Sequence, residues 1–558
     1  MRAGKRLWPT EGVTLSGVPA GIRTVRGCNS GEARNTGAEG ATRCKPPISQ
    51  AKGQRITKPI RAGVCPAVFR YLFTVERVRP RFFVLRERKE VLNVEKFLEI
   101  VELVNDKLNA FAWGPIMLAL LIGTGVYLTI RTRCIQVTRF GYIMKHTVGS
   151  LFTKKDKSSG KNLTAFQAVS TAMAGTVGTG NIAGVTGAIF VGGPGAVFWM
   201  WVSAFFGMCT KYAEIALAMK YRIKENGVYK GGPMYSIENG LGKNWKWLAV
   251  IFAVLGGLTS FGIGNIAQSS EIAGAINQLS GKRISLLAAG IVLAVVVAIV
   301  VLGGVKRVGQ VTSYMVPFMS IFYVLAGIAV VVLKITEVPA AFATIFKSAF
   351  SFEAVGGGVF GYAIMVAMRQ GFARGVFSNE AGMGSAPIAH AASETEEPAE
   401  QAMWGVFEVF FDTIVICSIT GLTVVLSGLY QTDMSAFGTK GAAAAAAFNA
   451  ILPGTLGGTI IQISLVFFAL STILSWSYYG ERCWGYLTNN NKVFDLCYKV
   501  IFVLVCIVGA TGSGTLMWDI SDTLNGLMAL PNLVALLLLS GVVTKITQEY
   551  FFSDKIKK

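Results

Sequence analysis

Histidine is nearly absent: the 558-residue chain holds two, His146 and His390, far apart in sequence. Its nine cysteines, at 28, 44, 65, 134, 209, 417, 483, 497 and 506, form no CxxC pair. Metal sites draw on such residues at short spacings, so a metal centre is not expected. The cysteines from Cys209 on lie mostly in apolar runs, where they read as small packing residues. No GxxxxGK[ST] occurs, which excludes the phosphate-cradling loop of an ATP-driven pump. No grouping of His, Cys, Asp or Glu is visible that would do acid–base or metal chemistry, so the chain does not read as an enzyme. Charge itself is scarce, at 15% of residues against about 25% in soluble domains.

Apolar residues take the place of charge. They make up 52% of the chain, and mean hydropathy is +0.52. Runs of about 20 apolar residues recur, the length a helix needs to cross a bilayer core. The chain therefore reads as an all-α polytopic membrane protein with about 11 transmembrane helices. Their expected positions are 111–130, 164–188, 195–219, 246–268, 285–304, 311–333, 355–377, 402–428, 457–480, 495–513 and 520–543.

The net charge is +21, and most of it comes from residues 1–90. This segment is rich in Gly, Arg, Pro and Thr, and has no signal-peptide-like apolar run and no sustained periodicity. It reads as a disordered basic tail, as an arm binding nucleic acid or lipid, or as translation from an upstream start. The last is the expectation. No Met lies between Met1 and Met117, so the true start would be a non-Met codon near Val91. Residues 91–110 then begin a new pattern: Val94, Phe97, Leu98, Val101, Val104 and Leu108 share one helical face, with acids between them. Such a helix lies on a membrane surface or packs on the bundle.

Lys and Arg concentrate in the loops 131–163 and 220–246 and in the tail 544–558, and are sparse in the loops between. Cytoplasmic loops carry the excess of Lys and Arg. The expected topology starts outside and ends with a cytoplasmic C-terminus in the cell (inner) membrane. The basic segment 1–90 would then lie outside, against the rule.

Glycine is the other excess. "TAMAGTVGTGNIAGVTG" (171–187) holds five glycines in a stretch without charge. The seventh segment holds Gly356, Gly357, Gly358, Gly361, Gly371 and Gly375, continuing into Gly382 and Gly384. A glycine inside a helix costs about 1 kcal/mol relative to alanine. Irregular backbone at membrane depth survives only where it is buried in protein or lines a cavity. Segments two and seven lie five apart and run in opposite directions. This is the pattern of a 5+5 inverted repeat over 164–333 and 355–543, each half led by a broken helix. Close helix packing is the alternative use of these glycines. A dinucleotide loop at "GTGNIAG" is excluded, because no strand precedes it and no acid follows at the required distance.

"VGTGNIAGV" (177–185), "GPGAVFWMW" (193–201), "KGGPMYSIENGLG" (230–242) and "GFARGVFSNEAGMGSAP" (371–387) resemble the sodium:alanine (alanine or glycine:cation) symporter family over about residues 95–545. The resemblance implies a leucine-transporter-type core preceded by one extra helix. It also implies Na⁺-coupled symport of small neutral amino acids, alanine and glycine, with proton coupling as the alternative. Na⁺, the amino acid and membrane lipid are the expected partners; nucleic acid is not, and no cofactor is expected beyond the coupling ion.

Thr176, Val177, Thr179, Gly180 and Asn181 surround the expected break in segment two. Thr176, Thr179, Gly180 and Asn181 are substrate candidates, Asn181 with the alternative of tying the break to a neighbouring helix. By the resemblance, Ala174 and Val177 supply carbonyls to Na⁺. Ser471 and Thr472 supply hydroxyl oxygens, donors suited to a hard cation, and Trp476 walls the pocket. Gln268 is a polar amide deep in a span and expected to face substrate. Gln370, Gly371, Phe372 and Gly375 are expected to flank the second break, with Phe372 capping the substrate's side chain. Glu408 and Asp412, spaced i,i+4, read as proton-transfer groups, a gate, or an acidic face at the aqueous end of a helix. The last is the leading expectation.

A chain that begins at Val91, supplied with an initiator Met, is expected to insert and to take up amino acid as well as the full chain. Membrane yield and uptake per inserted protein check this, and failed insertion would make residues 1–90 a working part.

Overall fold

The computed structural model describes residues 99–152, 162–350, 360–512 and 515–553. The basic segment 1–90, residues 91–98 and Gly356, Gly357 and Gly358 lie outside them. Within the described residues, every one of the eleven apolar segments falls on helix. In chain order the elements are α1 (Pro115–Arg131), α2 (Ala165–Thr176), α3 (Val185–Gly192), α4 (Gly195–Tyr221), α5 (Lys246–Phe261), α6 (Ala267–Leu279), α7 (Leu286–Val301), α8 (Gly304–Leu333) and α9 (Val338–Phe350). They continue with α10 (Phe360–Asn379), α11 (Ala386–His390), α12 (Pro398–Val409), α13 (Ser418–Ser427), α14 (Lys440–Asn449), α15 (Leu456–Leu487), α16 (Lys492–Thr511), α17 (Thr515–Leu538) and α18 (Ser540–Phe551). A two-stranded antiparallel hairpin, Ile223–Glu225 with Val228–Lys230, follows α4.

Among the described residues, seven helices are long and apolar enough to cross a membrane, and eight if the bent pair α2–α3 counts as one span. α4 and α10 fall outside that set although they have 27 and 20 residues. Both contain charged residues, Lys211 and Glu214 in α4 and Arg369 and Arg374 in α10. Lys211 and Glu214 are buried in protein, so the charges of α4 are carried in the interior of the bundle. α10 and α12 both lie against α4. By contrast α7, α8 and α16 present leucine, isoleucine and valine outward, as lipid-facing helices do.

Local chemistry explains where α2 starts and stops. Thr164 accepts from Gln167 N at 3.1 Å and the Gln167 side chain accepts from Thr164 N at 3.1 Å, a reciprocal cap. After Thr176 the helix ends. Gly178 N donates to the side-chain oxygen of Asn181 at 2.9 Å, outside the helical pattern. A wide π-type turn, Gly180–Gly184, restarts the chain, and α3 leaves at 44° to α2.

The second break lies elsewhere than the glycines suggest. α10 runs unbroken through Gly371 and Gly375 to Asn379. Among the described residues of this segment the chain opens at 380–385, where Glu380 (φ 54°), Gly382 (φ 93°) and Gly384 (φ 82°) take left-handed backbone. Gln370, Gly371, Phe372 and Gly375 therefore do not flank it. Gly371 and Gly375 let α10 approach α4: a Cβ at Gly371 would meet Ala196 O and Trp199 Cβ at 2.5 Å, and one at Gly375 would meet Ser203 Oγ at 3.0 Å. Gln370 lies against Gly192, and the Phe372 ring packs edge-on to Trp199 at 5.4 Å. These are the contacts of close helix packing.

Gly371→Ala is expected to cost about 1–3 kcal/mol, because the clash is with backbone that cannot rotate away. Melting in detergent should shift down by several degrees while amino-acid affinity of the folded protein stays at its original value.

Candidate functional site

The break after α2 faces a small cavity. Its lining is Gly175, Thr176, Gly178, Thr179 and Gly180 from the first break, Ile263 and Gln268 from the α5–α6 turn, Phe377 and Glu380 beside the second break, Thr472 and Trp476 from α15, and Asn525 from α17. Its volume is about 20 Å³, so an occupant larger than one water must displace part of the wall. One wall is Phe377. Its ring lies over Gly180, where a Cβ would meet Phe377 Cδ1 at 3.1 Å. On the far side of Phe377 and Gly180 lies a wider vestibule of about 310 Å³, walled by Arg374, Lys440, Asp519 and Asp522. Arg374 pairs with Asp522 at 3.3 Å and sits 5.2 Å from the Phe377 ring centre.

Glycines of the first break supply room. Gly175, Gly178 and Gly180 do not have left-handed backbone. A Cβ at Gly178 would fall 2.5 Å from Thr472 Oγ1, and one at Gly175 would fall 3.0 Å from Ser475 Oγ. The break thus presses against α15, and Ser475 Oγ donates to Thr171 O at 2.6 Å to hold it there. Ser471 and Thr472 both donate to Phe468 O, at 2.8 and 3.0 Å. Their protons are committed to their own helix, which leaves oxygen lone pairs as acceptors. As the last turn of α2, Ala174, Gly175 and Thr176 have carbonyls with no following helical turn to donate to them.

Of the side chains expected from sequence, Thr176, Thr179, Gly180, Gln268, Thr472 and Trp476 meet at the cavity. Thr179 donates to Gln268 Oε1 at 3.0 Å, and Gln268 Nε2 donates to Ile263 O at 3.1 Å, a carbonyl that accepts within the wide turn Gly262–Ile266. Ala174, Val177 and Ser471 are buried beside it. Asn181 is not in the lining. Its amide turns away and donates to Asp412 Oδ1 at 2.6 Å, so the tie to a neighbouring helix is the role the geometry gives it. Phe377, Glu380 and Asn525 line the cavity although the sequence reading does not select them as substrate-facing. Phe377 stands immediately before the polar run Ser378-Asn379-Glu380, which marks the true break, and Asn525 is an amide in an apolar helix. Both signals are present in the sequence.

Glu380 is held on both oxygens: Trp476 Nε1 donates to Oε1 at 3.2 Å and Ser385 Oγ to Oε2 at 2.5 Å. The rest of the second break is tied down from α4 and α17. Glu214 Oε1 accepts from Gly384 N at 2.9 Å and from Asn532 Nδ2 at 2.6 Å, and Asn532 Nδ2 also donates to Gly382 O at 2.9 Å.

Glu408 and Asp412 correct the expectation of an acidic aqueous face. Both are fully buried. Glu408 pairs with Lys211 at 3.4 Å and with His390 at 3.2 Å, and accepts from Thr176 at 3.2 Å. Asp412, on the wide turn Phe410–Cys417, accepts from Asn181, from Ser378 at 2.9 Å and from Thr413 at 2.8 Å. Among the described residues no group of three or more His, Cys, Asp or Glu could hold a metal ion.

The model of the sodium:alanine symporter family matches residues 98–558. The sodium/alanine symporter AgcS of Methanococcus maripaludis is 49% identical over 461 residues, covering 81% of this chain and 98% of its own. The amino-acid carrier protein AlsT of Bacillus subtilis is 37% identical over 446 residues, covering 79% and 90%. Among solved structures, MhsT in complex with L-phenylalanine aligns over 70% of this chain and 99% of its own at 14% identity, with a TM-score of 0.48.

Proposed function

This chain belongs to the sodium:alanine symporter family, and from that premise we propose that it couples Na⁺ entry to uptake of small neutral amino acids, alanine and glycine, by alternating access. It is a multi-pass membrane transporter and not an enzyme. The observation that supports the reading is the cavity between the two breaks, bounded by glycine backbone, two amides, an indole and the Glu380 carboxyl, with an aromatic ring over Gly180.

In this reading the substrate displaces the Phe377 ring and lies against Gly180. Gln268, Thr179 and Asn525 offer donors and acceptors to its charged ends, and Trp476 walls the side-chain end. Glycine at 178 and 180 brings the wall close, which restricts the side chain to a small one. Na⁺ binds between the carbonyls of Ala174 and Val177 and the hydroxyls of Ser471 and Thr472. All four are uncharged oxygen donors, which suit a hard monovalent cation and offer no site for a proton. The Arg374–Asp522 pair and Phe377 together form the outer closure. The core is a 5+5 inverted repeat, led by the broken helices α2–α3 and α10–α11, in the cell membrane with a cytoplasmic C-terminus.

In proteoliposomes, labelled alanine uptake should collapse when Na⁺ is replaced by choline. Ser471→Ala with Thr472→Ala should raise the Na⁺ concentration for half-maximal uptake at least fivefold, and Thr472→Ser should raise it less. A steep external pH dependence that persists without Na⁺ would replace this reading with proton coupling.

Gly180→Ala tests the pocket. The backbone at 180 is open to any residue, so the protein should fold. The new Cβ meets the Phe377 ring, so alanine should bind several-fold more weakly while glycine loses less. Unchanged alanine affinity and preference would remove Gly180 from the site.

A further inference from the structure

The two acids of the α12 span do something that neither the cavity nor the ion site explains. Glu408 lies near the end of α12 and Asp412 one turn on, so both carboxylates project from one face. Each of them accepts hydrogen bonds from both broken helices. Glu408 takes Oγ1 of Thr176, the last residue before the first break, and pairs with Nε2 of His390, the last residue of α11 beyond the second break. Asp412 takes Nδ2 of Asn181, just after the first break, and Oγ of Ser378, just before the second. The order is crossed: before-one with after-two, then after-one with before-two. Two broken helices that pass a straight element in opposite directions give that order.

The protonation pattern of the first bridge follows from its neighbours. Gln401 Oε1 accepts from Ser393 Oγ at 3.0 Å and from Thr395 Oγ1 at 2.8 Å. Its nitrogen therefore faces His390 Nδ1, 2.8 Å away, and donates to it. Nδ1 carries no proton, so the Nε2–H donates to Glu408. The bridge is thus a directed chain from Ser393 and Thr395 through Gln401 and His390 to the carboxylate. Arg222 continues it at the far end, donating to Ser393 O at 2.6 Å and Thr395 O at 2.7 Å.

We infer that Glu408 and Asp412 are positioning residues for transport: the two carboxylates clamp the two breaks to each other, so that closure of one around substrate and ion moves the other. The inference rests on the alternating-access reading above. The clamp supplies no side chain to the cavity and reaches its lining through Thr176 and, by way of Asn181, through Gly178 N, so weakening it should slow turnover without removing the binding site. Glu408→Gln is the informative change. The new amide oxygen stays on the side of Thr176 and Lys211 Nζ, which both face Oε1, so the amide nitrogen meets the Nε2–H of His390 donor to donor and Lys211 loses its buried counter-charge. Adding Gln401→Glu restores the chain with reversed polarity. The carboxylate introduced at position 401 then accepts the two hydroxyls and a proton on Nδ1, and the freed Nε2 accepts from the amide introduced at position 408.

The readouts are maximal alanine uptake in proteoliposomes and alanine dissociation constant in detergent, both at saturating Na⁺. Glu408→Gln should lower maximal uptake at least tenfold with affinity within threefold of the unchanged protein, and the Glu408→Gln, Gln401→Glu pair should recover uptake to within threefold. Uptake at the original rate in Glu408→Gln, or no recovery in the folded pair, would overturn the clamp. Where Glu408→Gln cannot be obtained folded, Ser378→Ala decides. It removes one donor from Asp412 and leaves those of Asn181 and Thr413. A threefold or greater loss of uptake at unchanged affinity supports the clamp, and unchanged uptake overturns it. If the unchanged protein takes up no alanine, it is the transport reading that fails, and that result comes from a separate measurement.

Discussion

Hydrocarbon offers no hydrogen bonds, and that single constraint organises the centre of this molecule. A helix broken at membrane depth frees backbone groups that water cannot reach. Here the freed groups find partners in side chains: Gly178 N on Asn181, Ala381 N on Asn379 at 3.0 Å, and Gly384 N on Glu214. Those partners are polar and buried, so they in turn need partners. Asn181 reaches Asp412, Asn379 reaches Thr413 at 3.1 Å, and Glu214 reaches Asn532. The polar interior is the propagated consequence of the two breaks.

This explains the fully buried charges of a charge-poor chain. Lys211, Glu214, Glu380, Glu408 and Asp412 are all buried, within or beside the breaks. Each would be expensive alone and is bonded or paired here. Outside the spans, charges act as ordinary ties. Glu238 accepts from Tyr486 OH at 2.5 Å and pairs with Lys246 at 3.0 Å, and the Tyr486 bond together with Lys246 holds its carboxyl below the usual range.

The glycines divide by what they supply. At the first break they are missing side chains on ordinary backbone. At the second, Gly382 and Gly384 supply left-handed backbone, and Glu380 adopts it without being glycine. In α10 they are neither: Gly371 and Gly375 make a helix contact. A glycine count alone merges these three uses. That is why the sequence reading puts the second break too early in the chain, and why it selects Phe372 where Phe377 lines the cavity.

Sequence alone determined the class, an all-α multi-pass membrane protein of the sodium:alanine symporter family. Spans are legible because a bilayer demands about 20 apolar residues in a row, and a break is legible where glycines interrupt such a run without charge, as at 175–187. Thr176, Thr179, Gly180, Gln268, Thr472 and Trp476, which line one cavity, were legible as candidates because polar or absent side chains stand out against hydrocarbon. Only the tertiary structure decided where the second break falls, which way Asn181 points, and that Glu408 and Asp412 are interior. The physical reason is the same in each case. An acid on a helix reads identically whether it faces water or a lysine, a histidine and a threonine from three other elements, and a glycine reads identically whether it gives room or rotation. The groups that settle those questions lie far away in the chain, 239 residues in the case of Thr420 and the Asn181 carbonyl, and only folding brings that pair to 2.7 Å.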